Sequence, residues 1–130
     1  MIQVQNLRKE FGSKVAVNDV SFSVEKGEVL GCLGPNGAGK STTMRMITGY
    51  FRPTSGQITL AGVNMLEDPQ KGKESLGYLP ENAPLYSDMT VASFLGFCAE
   101  LRGITGAARS KAVDRVLDLC FLDSVRNQSV

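Results

Sequence analysis

Gly34-Pro35-Asn36-Gly37-Ala38-Gly39-Lys40-Ser41-Thr42 decides the reading of this chain. The run fits the pattern glycine, four residues, glycine, lysine, then serine or threonine, in which backbone amides cradle phosphates. Just before it stands Glu28-Val29-Leu30-Gly31-Cys32-Leu33, an apolar run of strand length. Just after it, Met44 and Ile47 fall three residues apart and Gly49 supplies a stop, which predicts a helix from Ser41 to Thr48. Strand, glycine loop, helix is the setting the motif requires. The bland alternative, a glycine-rich turn that meets the pattern by chance, is opposed by both flanks.

The chemistry of the loop follows from its residue types. Gly34, Gly37 and Gly39 permit backbone angles that a β-carbon penalises, so successive N–H groups turn inward as an anion nest. The helix starting near Lys40 adds unpaired N–H groups and the positive end of its dipole. Lys40 supplies a compact cation for the β- and γ-phosphates of a nucleotide, and the Ser41 hydroxyl is a hard oxygen ligand suited to Mg²⁺. Pro35 stiffens the entry to the loop.

Composition narrows the classes. The 130 residues suffice for one domain with a real core. A formal charge of +1 gives no bulk electrostatic pull toward nucleic acid, and no nucleic-acid partner is expected. No apolar run approaches the ~20 residues of a membrane helix, and the N-terminus lacks a signal-peptide profile, so a soluble, cytoplasmic setting is expected. Cys32, Cys98 and Cys120 are widely spaced among apolar neighbours and are expected to be buried reduced thiols. With no histidine in the chain, a zinc site and a histidine general base are both disfavoured.

Upstream of the loop the chain is β-rich. Ile2 to Leu7 alternates as a half-buried strand, Arg8-Lys9-Glu10 breaks the pattern, and Phe11-Gly12-Ser13-Lys14 is a turn. Val15-Ala16-Val17 is short and apolar, with Asn18-Asp19 turning it. Val20, Phe22 and Val24 then share one face. Phe11, an aromatic beside a glycine at a turn, is placed either to stack on a flat base or to close the sheet edge as a core residue. Stacking on a nucleobase contributes ~1–3 kcal/mol in single-strand binders.

Downstream, Arg52-Pro53-Thr54-Ser55-Gly56 is a turn cluster, residues 57–60 a strand returning to the β layer, and Ala61-Gly62 its end. Residues 64–73 read as a loop or a short helical turn. Ser75-Leu76-Gly77-Tyr78-Leu79-Pro80 is a second apolar run of strand length, able to pair parallel with the run before the glycine loop. Glu81 to Tyr86 forms a loop at the carboxyl end of that strand, where open α/β sheets place ligands. The period then changes. Val91, Phe94, Leu95, Cys98 and Leu101 form a helical stripe, and a second helix from Thr105-Gly106 carries Ala112, Val113, Val116, Leu117, Cys120 and Phe121, making a two-helix hairpin. The charges on its other side read as a solvated face.

These segments together resemble the N-terminal part of the nucleotide-binding domain of ATP-binding cassette (ABC) transporters. Gly34 to Thr42 is similar to that family's Walker A loop, and Phe11 to its adenine-stacking aromatic. Residues 52–56 and 60–62 resemble its β-subdomain turns, Gly77-Tyr78-Leu79-Pro80-Glu81 falls where the family has its Q-loop, and residues 85–91 resemble the approach to its helical subdomain. The fold implied is α/β: a P-loop NTPase core with an antiparallel β-rich subdomain (1–82, including the loop) and the first part of a helical subdomain (83–130), stopping before the Walker B strand. The ligands implied are ATP and Mg²⁺. The implied binding set is Phe11, Gly34, Asn36, Gly37, Ala38, Gly39, Lys40, Ser41 and Thr42, with Thr42 near the α-phosphate and Ser41 and Glu81 toward the metal. The implied partners are a membrane-spanning transporter subunit and a second nucleotide-binding domain, which would hold the chain at the inner face of the cell membrane.

Two departures qualify the resemblance. Glu81 stands in place of the family's Q-loop glutamine, and Glu81 with Pro84-Leu85-Tyr86 is similar to a subset serving multidrug-type exporters and gliding-motility systems. The family's signature motif, Walker B aspartate, catalytic glutamate and switch histidine have no counterpart in residues 1–130, so no catalytic residue is assigned here and Lys40 assists only by stabilising phosphate. The expectation is therefore an ATP-binding piece of an exporter ATPase, with two alternatives: a non-hydrolysing or vestigial ATP-binding fragment, and a small P-loop kinase. The kinase is disfavoured by the lack of an acidic residue ending a second parallel strand and of an arginine-rich lid.

Overall fold

A computed structural model describes residues 1–82 and 85–130. The chain divides into two units, Met1–Leu79 and Pro80–Val130.

The first unit is built on a β-hairpin. Strand β1 (Ile2–Phe11) and strand β2 (Lys14–Val24) pair antiparallel, with Phe11 opposite Lys14 across Gly12-Ser13. The expected breaks at Arg8-Lys9-Glu10 and Asn18-Asp19 are absent, because both segments stay in the ladder. Bulges absorb the irregular pattern instead, the β1–β2 ladder changing register three times between Val4 and Glu10. Asn6 and Asp19 take positive φ (47° and 53°), a conformation Asn and Asp tolerate better than most residues. The Asn6 amide side chain donates to the Asp19 carboxylate at 2.9 Å, tying the bulges together. Each bulge shifts the alternation by one, so Val4 and Leu7, three apart, are both buried.

Strand β3 (Ser55–Leu60) adds to the free edge of β1, and the short β4 (Val63–Asn64) follows through the Ala61-Gly62 turn. The sheet order is β2-β1-β3-β4, antiparallel throughout. Helix α1 (Lys40–Ile47) covers the sheet: Met46 and Ile47 join Val4, Leu7, Val17, Ile58, Leu60 and Met65 in one buried cluster. Helix α2 (Pro69–Glu74) begins with Pro69 at its first turn and Asp68 capping the Lys71 amide at 3.1 Å.

The parallel pair expected of residues 28–33 and 75–80 is not formed. Neither run belongs to a strand, and Val29 and Leu33 are 95% and 94% exposed. The physical reason is that an apolar run becomes a strand only against a ladder partner; its composition fits a pleated surface without creating one. Cys32 lies in this unpaired run and is exposed, so it is not the buried thiol expected.

The second unit is the helical hairpin. Helix α3 (Val91–Leu101) packs on helix α4 (Gly106–Leu119), where Val113 and Leu117 are buried. Val116, Cys120 and Phe121, expected on the apolar side, are exposed instead; Phe121 is 92% exposed and left-handed just past the helix end. By spacing Phe121 would continue the row of Val113 and Leu117, but it lies past the end of α4, while Val116 and Cys120 stand one position off that row. Cys98, on α3, is half-buried. Arg109 of α4 lies against Gly96 of α3 and pairs with Glu100.

The residues after α4 return to the start of α3. A 3₁₀ turn (Asp123–Val125) leads to an antiparallel bridge between Thr90 and Ser129. The Val91 and Ala92 amides donate to the carbonyls of Gln128 (2.9 Å) and Arg126 (3.0 Å), while the Ser93 amide donates to the Thr90 hydroxyl (3.2 Å). The amides of the first turn of α3 are thereby satisfied. The loop expected over 81–86 includes Ala83 and Pro84, which lie outside the described residues.

Candidate functional site

The glycine loop ends in the helix its sequence requires. Lys40 is the first residue of α1, and Gly39 caps it in a left-handed conformation (φ 90°, ψ 1°). No side chain caps this end and its first turn carries no acidic residue, so its amides face a place suited to an anion. Gly37 is also left-handed, at φ 85°, and the Ala38 amide closes a turn onto the Pro35 carbonyl at 3.2 Å. The first helical bond runs from the Thr43 amide to the Gly39 carbonyl at 2.8 Å.

Gly39 is fixed by more than its backbone angles. A β-carbon there would stand 2.5 Å from the Ala16 carbonyl oxygen and 3.1 Å from a Val17 methyl. The loop therefore rests directly on β2, and a side chain at this position would push it off the sheet. Thr43, one turn into α1, is buried. Ser41 is exposed and Thr42 half-buried, which leaves the Ser41 hydroxyl open to a ligand.

Lys40 reaches back over its own loop. Its ammonium donates to the carbonyls of Gly34 (2.5 Å) and Pro35 (2.8 Å). Two of its three donors thus hold the charge across the mouth of the nest rather than letting it sweep through solvent. A phosphate bound at the nest would meet a cation already placed beside it.

Phe11 sits at the tip of the β1–β2 hairpin with 44% of its surface exposed. Its ring meets Phe51 edge-to-face at 5.3 Å, and the Lys9 ammonium stands 5.1 Å from its centre. Phe51 follows α1, and its amide donates to the Arg45 carbonyl at 3.0 Å. The segment carrying Phe51 is laced to β1: the Lys9 ammonium donates to the Arg52 carbonyl (2.6 Å), the Thr54 amide to the Arg8 carbonyl (2.8 Å), and the Glu10 amide to the Thr54 hydroxyl (3.0 Å).

The structure thus gathers Gly34 to Thr42 in one loop and helix start, and places Phe11 in the same unit against Phe51. Glu81 is exposed and lies in the other unit. Among the described residues no group of three or more acidic or cysteine side chains could hold a metal ion, and no helix is long and apolar enough to cross a membrane. Lys9 and Phe51 escaped the sequence reading. Their signal was present, with an aromatic pair at 50–51 directly after the loop helix and a cation two residues before Phe11.

Comparison with known proteins gives a consistent picture. The sequence profile of the ABC transporter family matches residues 17–130. The chain is 37% identical over 129 residues to the probable multidrug ABC transporter ATP-binding protein YbhF of Escherichia coli, covering 99% of this chain and 22% of that protein. It is 40% identical over 118 residues to the linearmycin resistance ATP-binding protein LnrL of Bacillus subtilis, covering 91% of this chain and 38% of that protein. A solved ATP-binding subunit of an ABC transporter superposes with a TM-score of 0.84 at 28% identity, covering 99% of this chain and 54% of that one. The chain therefore spans well under half the length of these two relatives and about half of the solved subunit.

Proposed function

This chain belongs to the ABC transporter family, and we propose that it forms part of an ATP-binding subunit that energises an exporter. The observation that carries the proposal is the loop: a left-handed Gly39 presents the uncapped start of α1, and Lys40 is held across its mouth. Backbone amides of Gly37, Gly39 and the start of α1 receive the phosphates, with Gly34, Asn36 and Ala38 shaping the loop. Lys40 neutralises the β- and γ-phosphates, Thr42 lies toward the α-phosphate, and the exposed Phe11 ring receives adenine.

The Ser41 hydroxyl fits Mg²⁺ as a single protein oxygen. That suits an ion which keeps several waters and takes its other ligands from the nucleotide. An ion held there would supply charge neutralisation to the phosphates. In the complete protein we propose hydrolysis of ATP, a second nucleotide-binding domain as dimer partner, and a membrane-spanning subunit that holds the protein at the inner face of the membrane. The export direction draws support from the names of YbhF and LnrL, a probable multidrug transporter protein and a resistance protein.

The test is equilibrium titration of the complete protein with a fluorescent ATP analogue. Lys40→Ala should weaken binding by about 10- to 100-fold, the equivalent of losing one charged hydrogen-bond partner of phosphate. Equal affinities for the two proteins, or no binding by a folded wild type, would overturn the proposal.

A further inference from the structure

Lys9, Phe11 and Phe51 form one cluster whose geometry says more than that Phe11 is exposed. The Lys9 ammonium stands 5.1 Å from the Phe11 ring centre and 5.9 Å from that of Phe51, both within cation–π range. Its donation to the Arg52 carbonyl at 2.6 Å pins the charge at that spot. Phe51 meets Phe11 edge-to-face, with the planes 72° apart, so the Phe11 ring is held from two directions. The Arg45 guanidinium, from the last turn of α1, lies 5.9 Å from the Phe51 ring centre, and the Arg45 backbone carbonyl accepts the Phe51 amide.

We infer that Lys9 and Phe51 are positioning residues that hold the Phe11 ring as a platform for a purine base and set its place relative to the phosphate loop. The inference rests on the reading of Phe11 as the base-stacking residue. A free aromatic side chain at a hairpin tip would lose rotamer freedom on meeting a base, and that loss would be subtracted from the affinity. Here the ring is ordered beforehand, by a cation from its own strand and a ring from the segment following α1. The same segment is bonded to the end of α1, whose beginning carries the glycine loop. Base and phosphates are thus received by parts of one connected scaffold rather than by two independent loops. The ligand class is a purine nucleoside di- or triphosphate. Inorganic polyphosphates, which carry no base, gain nothing from the cluster.

The experiment is a set of titrations of the complete protein with ATP and with tripolyphosphate. Lys9→Met should weaken ATP about 3-fold and Phe51→Leu about 3- to 10-fold, with tripolyphosphate unchanged in both. Lys9→Arg and Phe51→Tyr, which keep the cation and the ring, should restore ATP affinity. In a Phe11→Ala background neither Lys9→Met nor Phe51→Leu should weaken ATP further, because the ring they position is gone. Equal losses for ATP and tripolyphosphate would overturn the inference by showing a general structural role, as would additive losses in the Phe11→Ala background. If Phe11→Ala weakens ATP while Lys9→Met and Phe51→Leu do not, the positioning role alone fails. If Phe11→Ala leaves ATP untouched, the base-stacking reading fails, and the inference falls with it.

Discussion

Gly39 and Ala16 approach so closely that a β-carbon on the glycine would lie 2.5 Å from the Ala16 carbonyl oxygen. One belongs to the glycine loop and the other to the second strand of the antiparallel sheet, so the sheet acts as the floor on which the loop is set.

Gly39→Ala should accordingly damage binding and stability together. The left-handed backbone and the contact with β2 both oppose a methyl group, for a cost of about 1–3 kcal/mol. ATP and tripolyphosphate should weaken alike, since the loop itself is displaced. Isothermal titration of both ligands with a denaturation curve checks this. A variant as stable as wild type with unchanged affinity would show that the loop does not depend on the strand.

Phe11→Ala should weaken ATP and ADP to a similar extent, by about 1–3 kcal/mol if the ring stacks on the base. Phe11→Tyr should be near neutral, because stacking uses the ring and the position is exposed. Competition binding with ATP, ADP and tripolyphosphate reads the difference. A fall in tripolyphosphate affinity matching that for ATP would make Phe11 a packing residue.

Thr90→Ala should loosen the helical unit by about 1 kcal/mol, since the hydroxyl accepts the Ser93 amide at the start of α3. Thr90→Ser keeps the oxygen and should cost little. Hydrogen exchange at the Ser93 amide is the direct readout, and protection that is the same in all three proteins would show that the cap does not matter.

Gly96→Ala should stabilise α3 by about 0.5–1 kcal/mol. Alanine is the better helix former, and the nearest atoms to the new methyl belong to the Arg109 guanidinium, 3.2 Å away at the end of a flexible side chain. The Arg109–Glu100 pair it disturbs is half-exposed and contributes little. Urea denaturation decides the sign, and a loss of stability would mean that Arg109 cannot swing aside.

Much of this fold was legible from local chemistry. The loop and its helix follow from the spacing of Gly34, Gly39 and Lys40, and α3 from its apolar stripe behind Thr90, because both signals are complete within a dozen residues. What could not be read locally depended on partners distant in sequence. The bulges at Asn6 and Asp19 exist because the two residues bond each other across the hairpin. Residues 28–33 and 75–80 have the composition of strands but no ladder to join. The surroundings of Phe11 depend on Phe51, which an aromatic residue after a helix does not announce unless the returning chain is known to lie beside β1.

The bridge between Thr90 and Ser129 has a topological consequence. It brings the two ends of the helical hairpin side by side, joined by backbone bonds at Met89, Val91 and Ala92 to Val130, Gln128 and Arg126. An excursion that leaves and re-enters at one point transmits no change of length to its surroundings. A change of helix length that keeps residues 90–92 and 126–130 is therefore expected to leave the neck as it is, because the backbone bonds that make it are retained. A hairpin grafted between Ala92 and Arg126 would exchange no residue of the Gly39 contact with Ala16.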